Sequence, residues 1–286
     1  VSTRKVVRMS NGNRVVVAVS GSRQAYPAIE WALSYAPTVH AEVELVHVVD
    51  MSWRASPPPF AESALLAAER SLRDLAAHHS AHAGQPVHAT VLMGHPVDLL
   101  IEHAADSHML VVGFHRAANV GDALRSTLAA RLAGRSVVST VVVPHETAPG
   151  TGIVVGVDDS ESSVAPLAFA AREADRVGES LTVIHSWHAP QPWTDGEVVD
   201  WPVAPEDEER RILAEAVAGI AQDYPDLQVH TQVVFARAAV ALYDASLSAR
   251  LLVVGSHGRR GFEKAWLGST SEELVLATPT TVAVIR

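Results

Sequence analysis

The sequence predicts an α/β protein made of two copies of one doubly wound, five-stranded parallel-sheet domain. Three observations carry this. Short valine-rich runs such as Arg14-Val-Val-Val-Ala-Val and Leu251-Leu-Val-Val254 read as strands buried on both faces. Longer stretches with helix starts and stops lie between them, and that alternation implies right-handed crossovers with helices on both faces. The chain also repeats itself. Arg14–Ser20 aligns with Gly152–Asp158, Leu45–Val48 with Val183–Ser186, and Met109–His115 with Leu251–His257. The first two pairs are offset by 138 residues and the third by 142, so one loop differs by four residues. A period this long is a duplicated domain rather than a solenoid unit.

Residues 1–12 read as a tail and residues 13–144 as the first domain. The stretch 145–151, with its Pro149-Gly150 pair, reads as a linker, and residues 152–286 as the second domain. In the second domain strands are expected near 152–157, 179–186, 227–234, 250–254 and 280–285. Helices are expected near 161–177, 204–223, 238–248 and 269–277. Asp159, Ser160 and Ser162 are candidate N-caps before Val164-Ala-Pro, where Pro166 is tolerated only in a first turn. Gly178 marks a helix end. Pro205-Glu-Asp-Glu-Glu places carboxylates at a helix start, where the macrodipole favours them.

The chain is 48% hydrophobic and 19% charged over 286 residues, enough for two cores. A formal net charge of −10 argues against a nucleic-acid binder. With no cysteine there is no disulfide, thiolate nucleophile or Cys-ligated zinc. No run approaches the roughly 18 apolar residues of a membrane span. Arg4, Lys5 and Arg8 precede an apolar run too short for a signal peptide, so the expected location is cytoplasmic.

The segment Gly255–Ser269 carries the chemistry. It places a glycine-rich turn at the carboxyl end of a strand, the edge at which open α/β sheets bind ligands. Glycines let backbone N–H groups approach an anion, and a helix start with Ser269, Thr270 and Ser271 suits phosphate. Gly268 is followed directly by Ser269, so this is no P-loop. The spacing of Gly255, Gly258 and Gly261 is no Rossmann fingerprint. What fits is G-x-x-G, nine residues, then G-S/T, met at Gly255, Gly258, Gly268 and Ser269.

This pattern resembles the ATP-binding signature of the universal stress protein family, and the resemblance extends over residues 13–286. It implies an adenine-nucleotide α-hydrolase-like fold with strand order 3-2-1-4-5. It also implies an ATP-binding regulatory protein of stress response or growth control, with Mg carried on the phosphates. The first and fourth strands would then flank the switch point, and ligand would touch the loops after Asp158 and Gly255. By the same resemblance Asp158 contacts the nucleoside, with a helix cap as the alternative, and Ser186 lines the adenine pocket. Gly156 serves either close helix packing or the ligand. Ser256, His257, Arg259, Arg260 and Gly261 lie in the glycine loop, where arginine forks onto phosphate oxygens. Association through the last strand, Thr281–Ile285 and its counterpart Ser139–Val143, is implied too, as a homodimer or within one chain, together with an unnamed regulatory protein partner.

The first half departs from the signature. Ser20 stands for Asp158, Arg116 for Gly258, and Ser126-Thr127 for Gly268-Ser269. The second half is therefore expected to be the ATP binder. No nucleophile–base pair stands out, and a slow ATP hydrolase or phosphotransferase, or an interaction protein with a vestigial site, are the rival readings. His78 and His82 sit four apart on a helix and could present two imidazoles to a metal, or simply be a polar helix end. His47 and His185 recur at equivalent strand ends. Trp53, Trp201, Pro57–Pro59 and Pro190-Gln-Pro occupy long connections that serve as lids, partner surfaces or packed caps.

Overall fold

The computed structural model describes residues 13–20, 25–50, 58–114, 120–146, 150–187, 206–258 and 267–286. The chain divides into two compact units near residue 147.

The first unit runs β1 (Arg14–Ala18), α1 (Tyr26–Tyr35), β2 (Glu42–Asp50), α2 (Pro58–Ala83), β3 (Val87–Gly94), α3 (Pro96–Ala104), β4 (Met109–Phe114), α4 (Val120–Arg135) and β5 (Thr140–Pro144). Its strands are parallel in the order β3-β2-β1-β4-β5. Val15, Val16 and Val17 of β1 are wholly buried, as two-sided cover by helices requires. Helix α1 contributes Ala28, Ile29, Ala32 and Tyr35, spaced for one helical face. Pro58 and Pro59, expected in a connection, instead open α2, where a missing N–H costs nothing.

The second unit runs β6 (Ile153–Val157), α5 (Val164–Val177), β7 (Leu181–Trp187), α6 (Glu206–Val217), α7 (Ile220–Asp223), β8 (Val229–Phe235), α8 (Ala238–Ser246), β9 (Leu251–Gly255), α9 (Ser269–Ala277) and β10 (Thr281–Ile285). Its order, β8-β7-β6-β9-β10, repeats that of the first unit, again all parallel. Gly178 closes α5 in the left-handed region at φ 68°. Its N–H donates to Asp175, and that of Glu179 donates to Ala174, the bond pair of a Schellman motif. The single helix expected over 204–223 is two pieces, broken at Ala218-Gly219, where glycine lowers helix propensity. Trp53, Pro57, Pro190, Pro192 and Trp201 lie outside the described residues. Among the described residues no helix is long and apolar enough to cross a membrane.

The amino-terminal edge of the first sheet holds a buried ionic network. Arg14 donates to Glu44 at 3.0 Å, to Asp106 at 2.6 Å and to the His103 carbonyl at 2.6 Å. Glu44 also accepts from Thr90 at 2.6 Å and meets His103 Nε2 at 3.0 Å. Burial pushes the Glu44 carboxyl up, but the His103 and Thr90 hydrogen bonds and the charges of His103 and Arg14 outweigh it, so it titrates below its ordinary value.

Removing that carboxylate leaves Arg14 buried with fewer acceptors. Glu44→Ala is expected to cost about 3 kcal/mol in urea denaturation at neutral pH. Because the folded value is depressed, the contribution of Glu44 is complete above the ordinary Glu range. It declines as pH falls through about 4.3 and on through the folded value, so the gap between wild type and variant should narrow on acidification.

Candidate nucleotide-binding site

In the second unit β6 is flanked by β7 and β9, so the chain reverses direction across the sheet at this strand. The loops leaving β6 and β9 at the carboxyl edge meet there, and Asp158 and Gly258 are the point of contact. A Cβ built on Gly258 would lie 2.8 Å from Asp158 Oδ2. Glycine is therefore what lets the second loop lie against the carboxylate of the first.

Asp158 is held by its own loop. Its Oδ1 accepts the Ser160 N–H at 3.0 Å, the Ser163 hydroxyl at 2.8 Å, and the Ser160 hydroxyl. Its own N–H donates to Ser163 Oγ at 2.8 Å. The expected helix caps are thus corrected. The residues at the N-cap positions, Ser160 and Ser163, make no side-chain cap bond, because their hydroxyls are turned to Asp158. Ser162 reaches across to donate to the His257 carbonyl at 3.2 Å, joining the two loops a second time.

The glycine loop is tied at both ends. Ser256 N–H donates to the Ile285 carbonyl, and Gly268 N–H donates to the Ser256 carbonyl, each at 2.9 Å. Gly268 is the N-cap of α9, and the first helical bond runs from Glu272 N–H to the Gly268 carbonyl. The N–H groups of Ser269, Thr270 and Ser271 precede that bond and have no acceptor within the helix. The Ser271 hydroxyl, expected to face phosphate, is buried and donates to the Gly255 carbonyl at 2.7 Å. Ser269 and Thr270 keep exposed or half-exposed positions. Ser256 Oγ lies 3.0 Å from His257 Nδ1, and His257 Nε2 is buried with no partner among the described residues. Arg259, Arg260 and Gly261 fall outside the described residues.

The glycines differ in what they serve. A Cβ on Gly156 would meet Leu242 Cδ1 of α8 at 2.6 Å, so this glycine admits helix α8 to the sheet. On Gly255 it would meet the His257 carbonyl at 3.0 Å, which makes room for the turn. On Gly268 nothing described comes nearer than 3.5 Å, and φ −59°, ψ 146° suits any residue. Among the described residues a Cβ there would make only ordinary contacts, with the Ser256 carbonyl at 3.5 Å and His257 Cα at 3.8 Å.

Ser186 follows His185 in β7, and His185 stands opposite Val157, so Ser186 is level with Asp158 beyond the end of β6. His185 is fully buried. Its Nδ1–H donates to the Val157 carbonyl at 3.0 Å, and Nε2 meets Glu209 of α6. His47 makes the same bond to the Val19 carbonyl at 2.8 Å, which explains why the two histidines recur. Sequence reasoning missed Glu209, Ser160 and Ser163 as supports of this corner. The run of three serines within five residues of Asp158 was the available signal.

The first unit lacks the equivalent helix start. Ser126 and Thr127 lie inside α4, which begins at Val120, so their N–H groups fall within the helical ladder. Arg116 lies outside the described residues.

A family model described as universal stress protein family matches the chain twice, over residues 12–144 and 151–286. Two universal stress proteins of Mycobacterium tuberculosis strain H37Rv are each 31% identical to it. One alignment spans 303 residues, 95% of this chain and 94% of the relative, and the other spans 290 residues, 95% and 96%. The chain belongs to the universal stress protein family. The crystal structure of a universal stress protein from Archaeoglobus fulgidus DSM 4304 superposes with a TM-score of 0.73 at 18% identity, covering 96% of both chains. One from Pseudomonas aeruginosa UCBPP-PA14 gives 0.64 at 18%, covering 96% of this chain and 92% of that one. At such identity these likenesses speak for the fold.

In this universal stress protein the glycines should respond differently to a single methyl group. Gly156→Ala should cost about 1 kcal/mol, since Leu242 must move aside. Gly268→Ala should stay within about 0.5 kcal/mol of wild type. Thermal unfolding of the two variants beside wild type checks both.

Proposed function

We propose that the second half binds ATP at the β6/β9 switch point, and that the protein acts in stress response or growth control by altering its protein contacts as nucleotide comes and goes. The observation that carries this reading is Gly268. The fold places no described atom where its Cβ would be, yet the position holds glycine at the start of a helix whose first N–H groups lack helical acceptors. A phosphate approaching those N–H groups is the occupant that the missing side chain suits. Ser269 and Thr270 add hydroxyls. His257 Nε2 adds a buried group in want of a partner, which a phosphate oxygen would satisfy if that nitrogen carries the proton. On the other loop Asp158, an acceptor held rigidly by Ser160 and Ser163, suits the hydroxyl donors of a ribose. Ser186 lies level with it, on the side where a base would extend. The hydroxyls of Ser271 and Ser256 shape the loop instead of touching ligand. A magnesium ion would ride on the phosphates, with no acidic cage of its own among the described residues.

The first half supports one site per chain rather than two. An anion at its switch point would meet the interior of α4, whose N–H groups are already used, where the second half offers a helix end.

Calorimetry on nucleotide-stripped protein should therefore give close to one ATP per chain. Gly268→Glu places a carboxylate against the phosphates and should weaken binding at least tenfold, about 1.4 kcal/mol. Two equal sites per chain would overturn the asymmetry. Undetectable binding at millimolar ATP would overturn the reading and favour an interaction protein with a vestigial site.

A further inference from the structure

The histidines of α2 stand outside the nucleotide reading and on a different unit of the chain. Leu72, Ala76 and His79 form the buried stripe of this helix. His79 packs edge-on against Tyr26, ring centroids 5.2 Å apart, and its direction is inward. His78 and His82 are exposed and share the outer face, one turn apart. Their ring centroids are 4.3 Å apart at an interplanar angle of 42°.

One further contact sets the chemistry of the pair. His82 Nδ1 lies 2.9 Å from the His78 carbonyl. A carbonyl only accepts, so Nδ1 carries the proton and, in the neutral ring, Nε2 keeps the lone pair that a metal can take. Metal-bound imidazoles make this same second bond, which fixes tautomer and ring orientation. The backbone beneath is anchored as well. Ser80 Oγ accepts the Val87 N–H at 2.9 Å, and the Gly84 N–H donates to the Ser80 carbonyl at 3.1 Å, closing the helix directly after the pair. Ligands on a fixed helix end lose little freedom when an ion arrives.

We propose that His78 and His82 form a two-imidazole site for a borderline divalent transition metal of the zinc class, with water completing the coordination shell. Two zinc–nitrogen bonds of about 2.1 Å bring donor nitrogens within about 3.5 Å of each other, a spacing that rings already this close can adopt by small side-chain rotations. Imidazole donors select zinc, copper or nickel over magnesium and calcium, which want oxygen. With only two protein ligands the site keeps open positions. His79 takes no part, since its ring is turned into the core. Burial first, and then the charge of His78, hold it below the ordinary imidazole value, with His82 adding to the effect and Glu30 opposing it.

The test uses the full chain without an added histidine tag, free of nucleotide, titrated with zinc chloride by calorimetry in the presence of millimolar magnesium. The expected result is binding that His78→Ala and His82→Ala each weaken on the order of tenfold or more. That binding should also weaken on acidification, because metal competes with protons for the ring nitrogens. Both side chains are exposed, so both variants should unfold at the wild-type temperature, which a thermal scan verifies. No zinc binding by the wild-type protein, or wild-type affinity in either variant, would overturn the proposal.

Discussion

Everything at the candidate site depends on one close approach, that of the Gly258 backbone to the Asp158 carboxylate. It brings together two loops a hundred residues apart in the chain. Parallel order makes the meeting possible, because β6 and β9 are neighbours whose carboxyl ends share an edge. Glycine makes it close, since a Cβ would stand 2.8 Å from a carboxylate oxygen. The carboxylate cannot simply swing away, because Ser160 and Ser163 hold its other oxygen. Behind it, His185 braces the Val157 carbonyl and is itself engaged by Glu209. A rigid acceptor on one loop and a side-chain-free backbone on the other follow from the same contact.

The two halves show how separable fold and site are. Both reach the same strand order with buried β-branched residues in the central strand. Both place a histidine ring under the carbonyl that ends or follows that strand. Beyond the fourth strand they part company. In one half a helix starts at Ser269 after a glycine turn, and in the other it starts at Val120, well before Ser126. Burying Val15–Val17 or Ile153–Val155 places no demand on that loop. A duplicated domain can therefore keep its core while the carboxyl edge of one copy changes its chemistry.

Much of this could be read from the sequence, and the misses have a common cause. The repeat, the buried strands, the closing glycine at 178 and the start of α9 at Ser269 all follow from local pattern. So does the meeting of the two loops, once the family resemblance supplies the strand order. What local pattern could not show is where a side chain turns. Ser160 looks like a helix cap, yet it serves Asp158, as does Ser163. Ser271 looks like a phosphate ligand, yet its hydroxyl is spent on Gly255. Gly156 was ambiguous until Leu242 of α8 was placed above it. The Arg14 network gathers residues from three strands and the end of α3. Glu209 belongs to a helix that follows a long connection. No spacing rule links such positions.

The opposite edges of the second sheet sharpen the case for the carboxyl end as the site. At the amino edge Glu179 is matched with its neighbours. Glu179 accepts from Gly152 N–H and from Arg250, and is held below its ordinary value first by the Arg250 hydrogen bond. Such pairing fixes structure and leaves little to offer a ligand. At the carboxyl edge His257 Nε2 is buried without a partner among the described residues, and the first N–H groups of α9 have no helical acceptor. Burying an unsatisfied polar group costs about 1–3 kcal/mol, so an acceptor that reached this nitrogen and these N–H groups would be favoured there. The ATP proposed for this site would bring an anion with several acceptor oxygens to both.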